Sequence, residues 1–551
     1  MPRIRFGAAG VWLLAPLFVD VAKAYRPPSA PDDMSSDEMS SNGPRDRPAL
    51  IPYPAMLTEV DGGDIKPFRL LSDTQVVVDP SVPSSELAVS LLQEHIATAG
   101  DASKGRAKGR EKPCTIALSL EPDVSENDEG YELKVRPCSV VLRAPAAAGL
   151  FYGVQTLKQL TNSGSSSGVA QVDIQDAPRF KWRGMHLDVS RHFFPADDVK
   201  RLIDTMSTLK LNRFHWHLTD DQGWRMPVKG FGKLTDVGAE GVNGKHAYSL
   251  ADIQDVVSYA KERHIQVIPE VDSPGHVAAL LAAYPEYGNR DVPGWKPPLH
   301  PMKTWGVFPH TLAPTKDTMS LLETVFDSVT DAFPDQHVHI GGDEASTEEW
   351  QGSPQAKSLA ELSQTQSAAS VQRVFNQKLG EILGRKRRTA IAWDEARHIG
   401  DLPADAIIMA WRSENEAFGA AKAGNRVINA NQDVLYFDHL QGPKESEPPA
   451  FGTGQTPLKK VFEYDPMPAG LSEEEKKLVL GGQAQLWSEY LPSWKQVEYM
   501  AFPRAFALAE RLWTDSSSID AGTDQGFDDF LGRLRPRLAE LRGKGINLRP
   551  L

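Results

Sequence analysis

The chain has 551 residues, of which 40% are hydrophobic and 24% charged, an ordinary globular composition with room for two or more domains. Its 73 acidic residues outnumber its 60 basic ones and give a net charge of −13, which argues against nucleic acid or anionic lipid as a partner. Only two cysteines occur, Cys114 and Cys138, so a cysteine-based zinc site and a disulfide scaffold are excluded. The two cysteines could form one disulfide bridge between neighbouring strands or remain two buried thiols, and both alternatives stay open.

The N-terminal 24 residues have the order of a secretory signal peptide. Arg3 and Arg5 precede an apolar run over residues 7–19, and the sequence AKA at residues 22–24 offers a cleavage site. The run is short for a membrane span, although an uncleaved signal anchor would share this pattern. Residues 25–48, rich in Pro, Ser and Asp, are predicted to form a disordered leader. We therefore expect the secretory pathway, with a secreted, periplasmic or lysosome-like destination.

Residues 49–175 are predicted to form a small α/β domain. The strand-like runs TQVVVD, CTIALSL, YELKV and CSVVLRA alternate with helices around residues 86–97 and 146–160. No group of residues in this part points to chemistry. The sequence SGSSSG at residues 163–168 indicates a flexible break before the next domain.

Residues 176–551 contain eight repeats of strand, loop and helix, as a (β/α)₈ TIM barrel requires. Near-continuous apolar strands indicate a parallel sheet that is covered on both faces. A doubly wound open sheet is the alternative, but it needs a glycine-rich turn after the first strand, and DVSRHFF has none. The predicted strands are residues 183–191, 212–221, 266–276, 337–344, 389–395, 406–412, 426–433 and 478–489.

The predicted functional residues lie at the C-terminal ends of these strands, where barrels of this kind place their active sites. Tryptophans, acidic residues and one arginine together suit a carbohydrate, because indole rings stack on sugar rings and charged groups hold hydroxyls. A loop over residues 278–314 is long enough to form a lid. The strand-end residues are Arg191, Asp220, His276, Asp343, Glu344, Trp393, Trp411, Trp487 and Glu489.

The stretch HVHIGGDEAS at residues 337–346 places Asp343 and Glu344 side by side after an apolar strand. Two carboxyl groups confined in a low dielectric raise the pKa of at least one of them, which could then stay protonated and act as an acid. Glycosidases with carboxyl groups on opposite sides of the scissile bond hold them about 5 Å apart or more. Adjacent residues, with α-carbons about 3.8 Å apart, approach from one side instead. We therefore predict that the substrate supplies the nucleophile, which a 2-acetamido carbonyl can do.

These motifs together resemble those of glycoside hydrolase family 20, the β-N-acetylhexosaminidases. HIGGDEA is similar to the catalytic signature of the family, and DVSRHFF, HWHLTDDQGWR, PEVDSPGH, AWDE, MAWR and LWSEY occur in the family's order. The resemblance covers nearly everything after residue 51. It implies a non-catalytic N-terminal domain followed by a catalytic TIM barrel.

The resemblance also implies a role for each matching residue around the reacting bond. Glu344 would be the general acid that protonates the leaving oxygen and later the base that activates water. Asp343 would hold the acetamido N–H and stabilise an oxazolinium-like intermediate, and the phenol of Tyr436 would bind the acetamido oxygen. Three tryptophans would wall the acetyl pocket, the last of them also lying under the sugar ring: Trp393, Trp411 and Trp487.

Five further residues are expected to bind or support the terminal sugar. Arg191 would bind the 3- and 4-hydroxyls in a fork that Lys could not copy. Glu489 and Asp438 would take the outer hydroxyls, and Asp220 and His276 resemble the pair that orients the catalytic carboxylates. Some family members carry Asn where this chain has Asp438, so the preference between gluco and galacto sugars stays open.

The predicted function is that of an exo-acting, retaining β-N-acetylhexosaminidase without cofactor or metal. Its partners would be terminal β-linked N-acetylhexosamines, as in chitin or N-glycans, and a homodimer is an open alternative for its assembly. Two rival functions also stay open. A sugar-binding protein could use the same pocket without catalysis. A metal-dependent amidohydrolase could use the H-x-H pair His215 and His217, with His276, His339 and Asp343 as further ligands.

Overall fold

A computed structural model describes residues 47–60, 67–83, 86–101, 113–162, 168–362 and 367–551. The predicted signal peptide over residues 1–24 lies outside this part of the chain, as does the predicted leader over residues 25–48 except for its last two residues. Of the predicted break over residues 163–168, only Gly168 is described. Among the described residues, no helix combines the length and the apolar character that crossing a membrane needs.

The N-terminal domain is a mixed six-stranded sheet with two helices. Its elements are β1 (Met56–Glu59), β2 (Gln75–Val78), α1 (Leu87–Asp101), β3 (Thr115–Leu120), β4 (Tyr131–Arg136), β5 (Ser139–Ala144), α2 (Ala147–Thr161) and β6 (Val172–Asp176). The order across the sheet is β1, β6, β4, β5, β3, β2, and only the β2–β3 and β3–β5 pairs are parallel. Cys114 and Cys138 precede the neighbouring strands β3 and β5 and are joined by a disulfide.

Eight parallel strands close into the barrel that the repeats predicted. They are β7 (Trp182–Asp188), β8 (Arg213–His217), β9 (Gln266–Glu270), β10 (His337–His339), β11 (Thr389–Trp393), β12 (Ile407–Ala410), β13 (Arg426–Asn429) and β14 (Val479–Ala484). Each strand pairs with the next, and β14 pairs with β7 to close the ring. The predicted fold class, a TIM barrel preceded by a small domain, is confirmed.

Amphipathic helices cover the barrel. The long ones are α3 (Ala196–Thr208), α4 (Leu250–Glu262), α5 (Lys316–Ala332), α6 (Val371–Arg385), α7 (Glu414–Lys422), α8 (Arg504–Trp513) and α9 (Asp524–Gly543). Shorter helices span Lys233–Asp236, Ala278–Ala283, Glu348–Gly352, Pro354–Leu362, Asp394–Ile399, Gln432–Leu435, Leu458–Glu463, Glu473–Lys476 and Trp494–Ala501. The helix α4 is capped at its start, since the side chain of Ser249 accepts the N–H of Asp252.

Several strands end earlier than the sequence predicted. The fourth predicted strand, residues 337–344, ends at His339, and the third, residues 266–276, ends at Glu270. The chain leaves the sheet after His339 because Gly341 and Gly342 have φ of 71° and 93°, which no β-strand contains. The functional residues of these segments therefore lie on loops beyond the strands.

The N-terminal domain packs against the starts of β7 and β8, the ends opposite to the predicted site. The indole of Trp513, from α8, is fully buried in the core of the N-terminal domain and donates to Asp176 at 2.9 Å. Lys210 pairs with the same Asp176 at 3.0 Å, and Arg183 pairs with Glu129 at 2.7 Å. These buried contacts hold the domain to the barrel.

Candidate active site

The predicted site residues lie at the C-terminal end of the barrel, on the segments that follow the strands or, for Trp393, at the last position of β11. Arg191 follows β7, Asp220 follows β8, His276 follows β9, and Asp343 and Glu344 follow β10. Hydrogen bonds, ion pairs and ring contacts connect these side chains with those from the other four strands. The latter are Trp393, Trp411, Tyr436, Asp438, Trp487 and Glu489.

The turn that carries Asp343 and Glu344 is unusually tight. Glu344 has φ of 44°, in the left-handed region that side chains other than glycine seldom adopt. A Cβ atom at Gly341 would lie 1.7 Å from Oδ1 of Asp272, and this same oxygen accepts the N–H of Gly342 at 3.1 Å. The turn can therefore form only because glycine lets its backbone approach Asp272.

One imidazole lies next to both carboxyl groups. Nε2 of His276 is 3.4 Å from Oε2 of Glu344 and 3.8 Å from Oδ2 of Asp343. On its other side, Nδ1 lies 3.2 Å from Asp220 and 3.3 Å from Asp221. Burial disfavours a charged imidazole, but the surrounding carboxylates outweigh burial and raise the pKa of His276 well above its ordinary value. The predicted supporting pair, Asp220 and His276, thus holds a cation against the two candidate catalytic residues.

The two adjacent carboxyl groups lie in different surroundings. Burial, together with the neighbouring Asp272 and Glu344, raises the pKa of Asp343 well above its ordinary value. The side chain of Asp343 is 13% exposed, whereas that of Glu344 is 39% exposed. Glu344 is therefore the carboxyl group that solvent reaches more easily, and Asp343 is the more buried of the two.

Four aromatic rings, together named the aromatic pocket, lie near this pair. Burial, with the nearby Asp438 and Asp343, raises the pKa of Tyr436, one of the four, well above its ordinary value. Trp393 and Trp487 have ring centroids 5.9 Å apart, and Tyr436 lies 6.2 Å from Trp487. Trp411 stacks on Tyr436 at 6.0 Å with an interplanar angle of 16°. The three predicted tryptophans and the predicted tyrosine therefore meet as one wall, which the sequence could place only at separate strand ends.

Two acidic residues, Glu270 buried and Glu395 half-buried, hold two of the indoles in place. Nε1 of Trp393 donates to Glu270 at 2.8 Å, and Nε1 of Trp411 donates to Glu395 at 2.8 Å. Burial, with the nearby Asp343, raises the pKa of Glu395 to about 9. Glu395 is therefore neutral at neutral pH and adds no negative charge next to Asp343.

Arg191 lies at the rim of the aromatic pocket. Its guanidinium is 5.1 Å from the ring centroid of Trp487, and one terminal nitrogen lies 2.9 Å from Asp220. Its Nε donates to Gln222 at 3.0 Å, and the amide of Gln222 donates to the backbone carbonyl of Thr304 in the predicted lid. The arginine is thus fixed from two sides, with its planar fork oriented.

Asp438 and Glu489 form a second acidic pair in the candidate site. Burial, together with Glu489, raises the pKa of Asp438 well above its ordinary value. Within the described part of the chain, Oδ1 of Asp438 and Oε2 of Glu489 are buried without a hydrogen-bond partner. Buried acceptors without protein donors are suited to bind hydroxyl groups of a ligand.

Several histidines and acidic residues lie close enough to hold a metal ion. In the described chain, three groups have ligand atoms within 4.8 Å of one another: His186, His215 and Glu270; Asp220, Asp272 and His276; and His276, Asp343 and Glu344. The alternative prediction, a metal-dependent amidohydrolase, places His215 and His217 among the metal ligands. Their hydrogen bonds decide whether their nitrogens can bind a metal.

Both rings are engaged by protein groups. Nδ1 of His215 accepts from the amide of Gln483 at 2.9 Å, an amide oriented by Trp182, which donates to its oxygen at 3.1 Å. Burial lowers the pKa of His215 to about 4, so the neutral ring carries its only proton on Nε2, 3.0 Å from Glu270. His217 lies between two carboxylates, with Nδ1 2.5 Å from Glu270 and Nε2 2.8 Å from Asp220. Neither ring offers a free lone pair to a metal.

Comparisons with known proteins agree with this geometry. The model of the glycosyl hydrolase family 20 catalytic domain matches residues 180–516, and the model of domain 2 of the same family matches residues 47–177. The chain belongs to glycosyl hydrolase family 20. The predicted family, its TIM-barrel catalytic domain and its class as a glycoside hydrolase are thereby confirmed.

Relatives from the family are similar along most of the chain. A beta-hexosaminidase of Porphyromonas gingivalis is 34% identical over 90% of this chain and 64% of its own length, so the chain spans about two thirds of that relative. A beta-hexosaminidase of Vibrio furnissii is 33% identical over 84% of this chain and 76% of its own length. Among solved structures, the exo beta-N-acetylglucosaminidase of Vibrio harveyi, in complex with N-acetylglucosamine, has a TM-score of 0.80 at 28% identity and covers 94% of this chain and 80% of its own.

The family motifs also contain functional neighbours that the sequence reasoning missed. Glu270 and Glu395, which bind the indoles, belong to the motifs PEVDSPGH and AWDE. Asp272 belongs to PEVDSPGH as well, and Gln222 belongs to HWHLTDDQGWR. One signal could have found Glu270, because it is a carboxylate at the C-terminal end of a strand whose middle residues, 267–269, are apolar. A charged residue at such a position needs a buried partner.

Proposed function

We propose that the chain is an exo-acting, retaining β-N-acetylhexosaminidase. It removes terminal β-linked N-acetylglucosamine or N-acetylgalactosamine from oligosaccharides or glycoconjugates, and the acetamido group of the substrate acts as the nucleophile. One observation carries the proposal. Asp343 and Glu344 are consecutive residues that lie 3.8 and 3.4 Å from the same imidazole nitrogen, beside a pocket of four aromatic rings.

The first half of the reaction breaks the glycosidic bond. Glu344 gives its proton to the glycosidic oxygen while the acetamido carbonyl oxygen attacks C1, so that the leaving group departs as an alcohol and an oxazolinium ring forms. The ionised form of Asp343 accepts the acetamido N–H, and the positive charge of the forming ring favours that ionised form. The hydroxyl of Tyr436 donates to the acetamido oxygen, and the cation at His276 favours the carboxylate that remains on Glu344.

The second half opens the ring with water. The carboxylate of Glu344 accepts a proton from a water molecule as that water attacks C1, and the acetamido carbonyl re-forms. C1 is inverted twice, so the product keeps the β configuration. The more exposed position of Glu344 supports this double role, because the leaving group and the water must both reach it.

The lid supports an exo mode of action. Gln222 connects Arg191 to Thr304, and the N–H of Met302 donates to the carbonyl of Asp221 at 2.9 Å. The loop is therefore held against the side of the pocket where Arg191 would bind the 3- and 4-hydroxyls. A pocket covered on that side accepts a terminal sugar unit and excludes a chain that continues from these hydroxyls.

Compartment, natural substrate and assembly are further proposals. The sequence order of residues 1–24 and the disulfide between Cys114 and Cys138 support the secretory pathway, where thiols oxidise. Chitin fragments and N-glycan ends both present the terminal sugar that the pocket would take. Homodimer formation is tested by light scattering of the purified chain.

Hydrolysis of two matched glycosides tests the proposal. The protein should release nitrophenol from 4-nitrophenyl N-acetyl-β-glucosaminide and show little activity on 4-nitrophenyl β-glucoside, in which a hydroxyl replaces the acetamido group. Equal rates on both would contradict acetamido participation. Binding of N-acetylglucosamine without nitrophenol release would identify a sugar-binding protein instead, and loss of activity in EDTA with recovery in zinc would identify a metal-dependent hydrolase.

A further inference from the structure

Beneath the aromatic pocket, one buried carboxylate contacts two parts of the site. Glu270 accepts hydrogen bonds from Nε1 of Trp393 at 2.8 Å and from Nδ1 of His217 at 2.5 Å. Its side chain is 0% exposed, and Nε2 of His215 lies 3.0 Å from it. Glu270 therefore touches the wall of the predicted acetyl pocket on one side and a pair of buried imidazoles on the other.

From His217 the contacts continue to the candidate acid. Nε2 of His217 bonds to Oδ2 of Asp220 at 2.8 Å, and Oδ1 of Asp220 faces Nδ1 of His276 at 3.2 Å. Nε2 of His276 then lies 3.4 Å from Oε2 of Glu344. Carboxylates and imidazoles alternate along the whole path, so that every buried charge has an opposite charge as its neighbour.

We propose that Glu270 and His217 are positioning residues that couple the acetyl pocket to the acid Glu344 through this path, named here the Glu270 chain (Glu270, His217, Asp220 and His276). The inference rests on the proposed function, since it assigns to Glu344 the proton of the reaction. Beyond that function, the acid Glu344 and the indole of Trp393, in the wall of the predicted acetyl pocket, are both held by the buried Glu270. Charges interact strongly in the low-dielectric interior of a protein. A change at Glu270 should therefore affect both Trp393 in the aromatic pocket and the acid Glu344.

The charge state of the Glu270 chain follows from its surroundings. Burial disfavours charge on His217, yet Glu270 and Asp220 outweigh burial and raise its pKa well above the ordinary value. Burial alone would raise the pKa of Glu270, but the imidazoles around it hold that pKa well below its usual range. The other titratable or charged groups that face the chain are Arg191, Asp221, Asp272, Asp343, His186, His215 and His339.

Removal of the charge on His217 tests the path toward the acid. In His217→Gln a donor toward Asp220 is kept but the positive charge is lost, so the Glu270 chain gains net negative charge and loss of the catalytic proton becomes less favourable. The alkaline limb of the pH profile of kcat/KM should move up by about half a unit or more, and kcat should fall about tenfold with a poor leaving group. The loss should be much smaller with 2,4-dinitrophenolate, which needs little acid assistance.

Removal of the charge on Glu270 tests the coupling itself. Glu270→Gln should show the loss in acid assistance and should also weaken binding of a thiazoline analogue of the cyclised intermediate about tenfold, because the anchor of Trp393 is altered. In His217→Gln that binding should change less than about threefold. Glu510→Gln is the matched control, since Glu510 is also 0% exposed and pairs with Arg533 at 2.6 Å, outside the Glu270 chain. It should leave the pH profile and inhibitor binding unchanged.

Thermal unfolding identifies variants that fail to fold. If His217→Gln fails to fold, His217→Asn takes its place. If Glu270→Gln fails to fold, Glu270→Asp is measured instead, and because it keeps the charge it should retain the wild-type alkaline limb. The inference is overturned if the folded variants lose equal activity on both leaving groups with an unmoved limb, or if Glu270→Gln binds the thiazoline as wild type does. A wild-type protein that cleaves neither glycoside would instead overturn the proposed function and, with it, this inference.

Discussion

At positions 343 and 344, two neighbouring carboxyl groups lie in different surroundings, and the proposed mechanism gives them separate tasks. Burial, together with the neighbouring Asp272 and Glu344, raises the pKa of Asp343 well above its ordinary value. Glu344 is three times as exposed and lies beside the cation at His276. This difference favours Asp343 for binding the acetamido N–H and Glu344 for moving the proton.

Substitution of Glu344 should separate acid assistance from binding. Glu344→Gln should lower kcat/KM by about 100-fold or more for a 4-methylumbelliferyl glycoside, whose leaving group needs a proton, and by much less for a 2,4-dinitrophenyl glycoside. Glu348→Gln, at an exposed glutamate four residues on, is the control and should behave as wild type. Equal losses of Glu344→Gln on both glycosides would show that Glu344 is not the acid.

The loop after β10 is the element on which the site depends most. It must turn within four residues of His339 to bring the two carboxyl groups to His276, and it does so with glycines in the left-handed region. At Gly341 the backbone also approaches Asp272 so closely that a methyl group has no room. The GG in HVHIGGDEAS is therefore a steric requirement of the site.

Replacing Gly341 by alanine should reduce activity more than replacing a glycine that has positive φ but no close neighbour. The new Cβ would displace Asp272 and with it the turn, so Gly341→Ala should reduce kcat/KM by about 100-fold or more, as misplacement of catalytic groups does. Gly424→Ala is the matched control, because Gly424 also has positive φ, 86°, but nothing lies within 4 Å of its added Cβ. Similar activity of the two variants would show that the approach to Asp272 has no functional role.

The elements were predictable from local pattern, but the contacts between them were not. Strand order and the position of each motif follow from periodicity, and all eight predicted strands are present. The end of β10 was predicted too late because the positive φ of Gly341 and Gly342 cannot be read from the sequence. The anchors Glu270 and Glu395 were missed since each bonds to an indole from another segment of the chain. The disulfide stayed open because it depends on the register of β3 against β5, which places Thr115 opposite Ser139.

On the scale of the molecule, the N-terminal domain and the barrel are connected by buried ion pairs. Both nitrogens of the Arg183 fork bind Glu129, at 3.0 and 2.7 Å, and the side-chain amide of Asn212 adds a third bond at 2.9 Å. Burial alone would raise the pKa of Glu129, but Arg183 and Asn212 outweigh it and lower that pKa to about 2. The carboxylate of Glu129 therefore contributes to the stability of the whole fold.

Removal of this carboxylate should destabilise the protein in a pH-dependent way. Because the pKa of Glu129 is depressed on folding, its contribution is full above about pH 4.5 and is lost as the pH falls toward 2. At pH 7, Glu129→Gln should lower the free energy of unfolding by on the order of 2 kcal/mol, less than for a fully buried pair. Urea unfolding measures this, and the gap to wild type should narrow below pH 4.5.

A surface pair in the same domain provides the control for this experiment. Glu121 also binds an arginine, Arg143, but its side chain is 44% exposed. Glu121→Gln should change the free energy of unfolding by less than about 1 kcal/mol. Equal destabilisation by the two variants would show that the Glu129 contact contributes no more than an exposed pair.

The central claim, that the substrate's acetamido oxygen attacks C1, is tested most directly by weakening that oxygen as a nucleophile. A series of 4-nitrophenyl glycosides with none, one, two or three fluorines on the N-acetyl group changes the nucleophile and leaves the sugar and the leaving group constant. If the acetamido oxygen attacks, log kcat should fall steeply and in proportion to fluorination. A rate that does not respond to the fluorines would contradict the account.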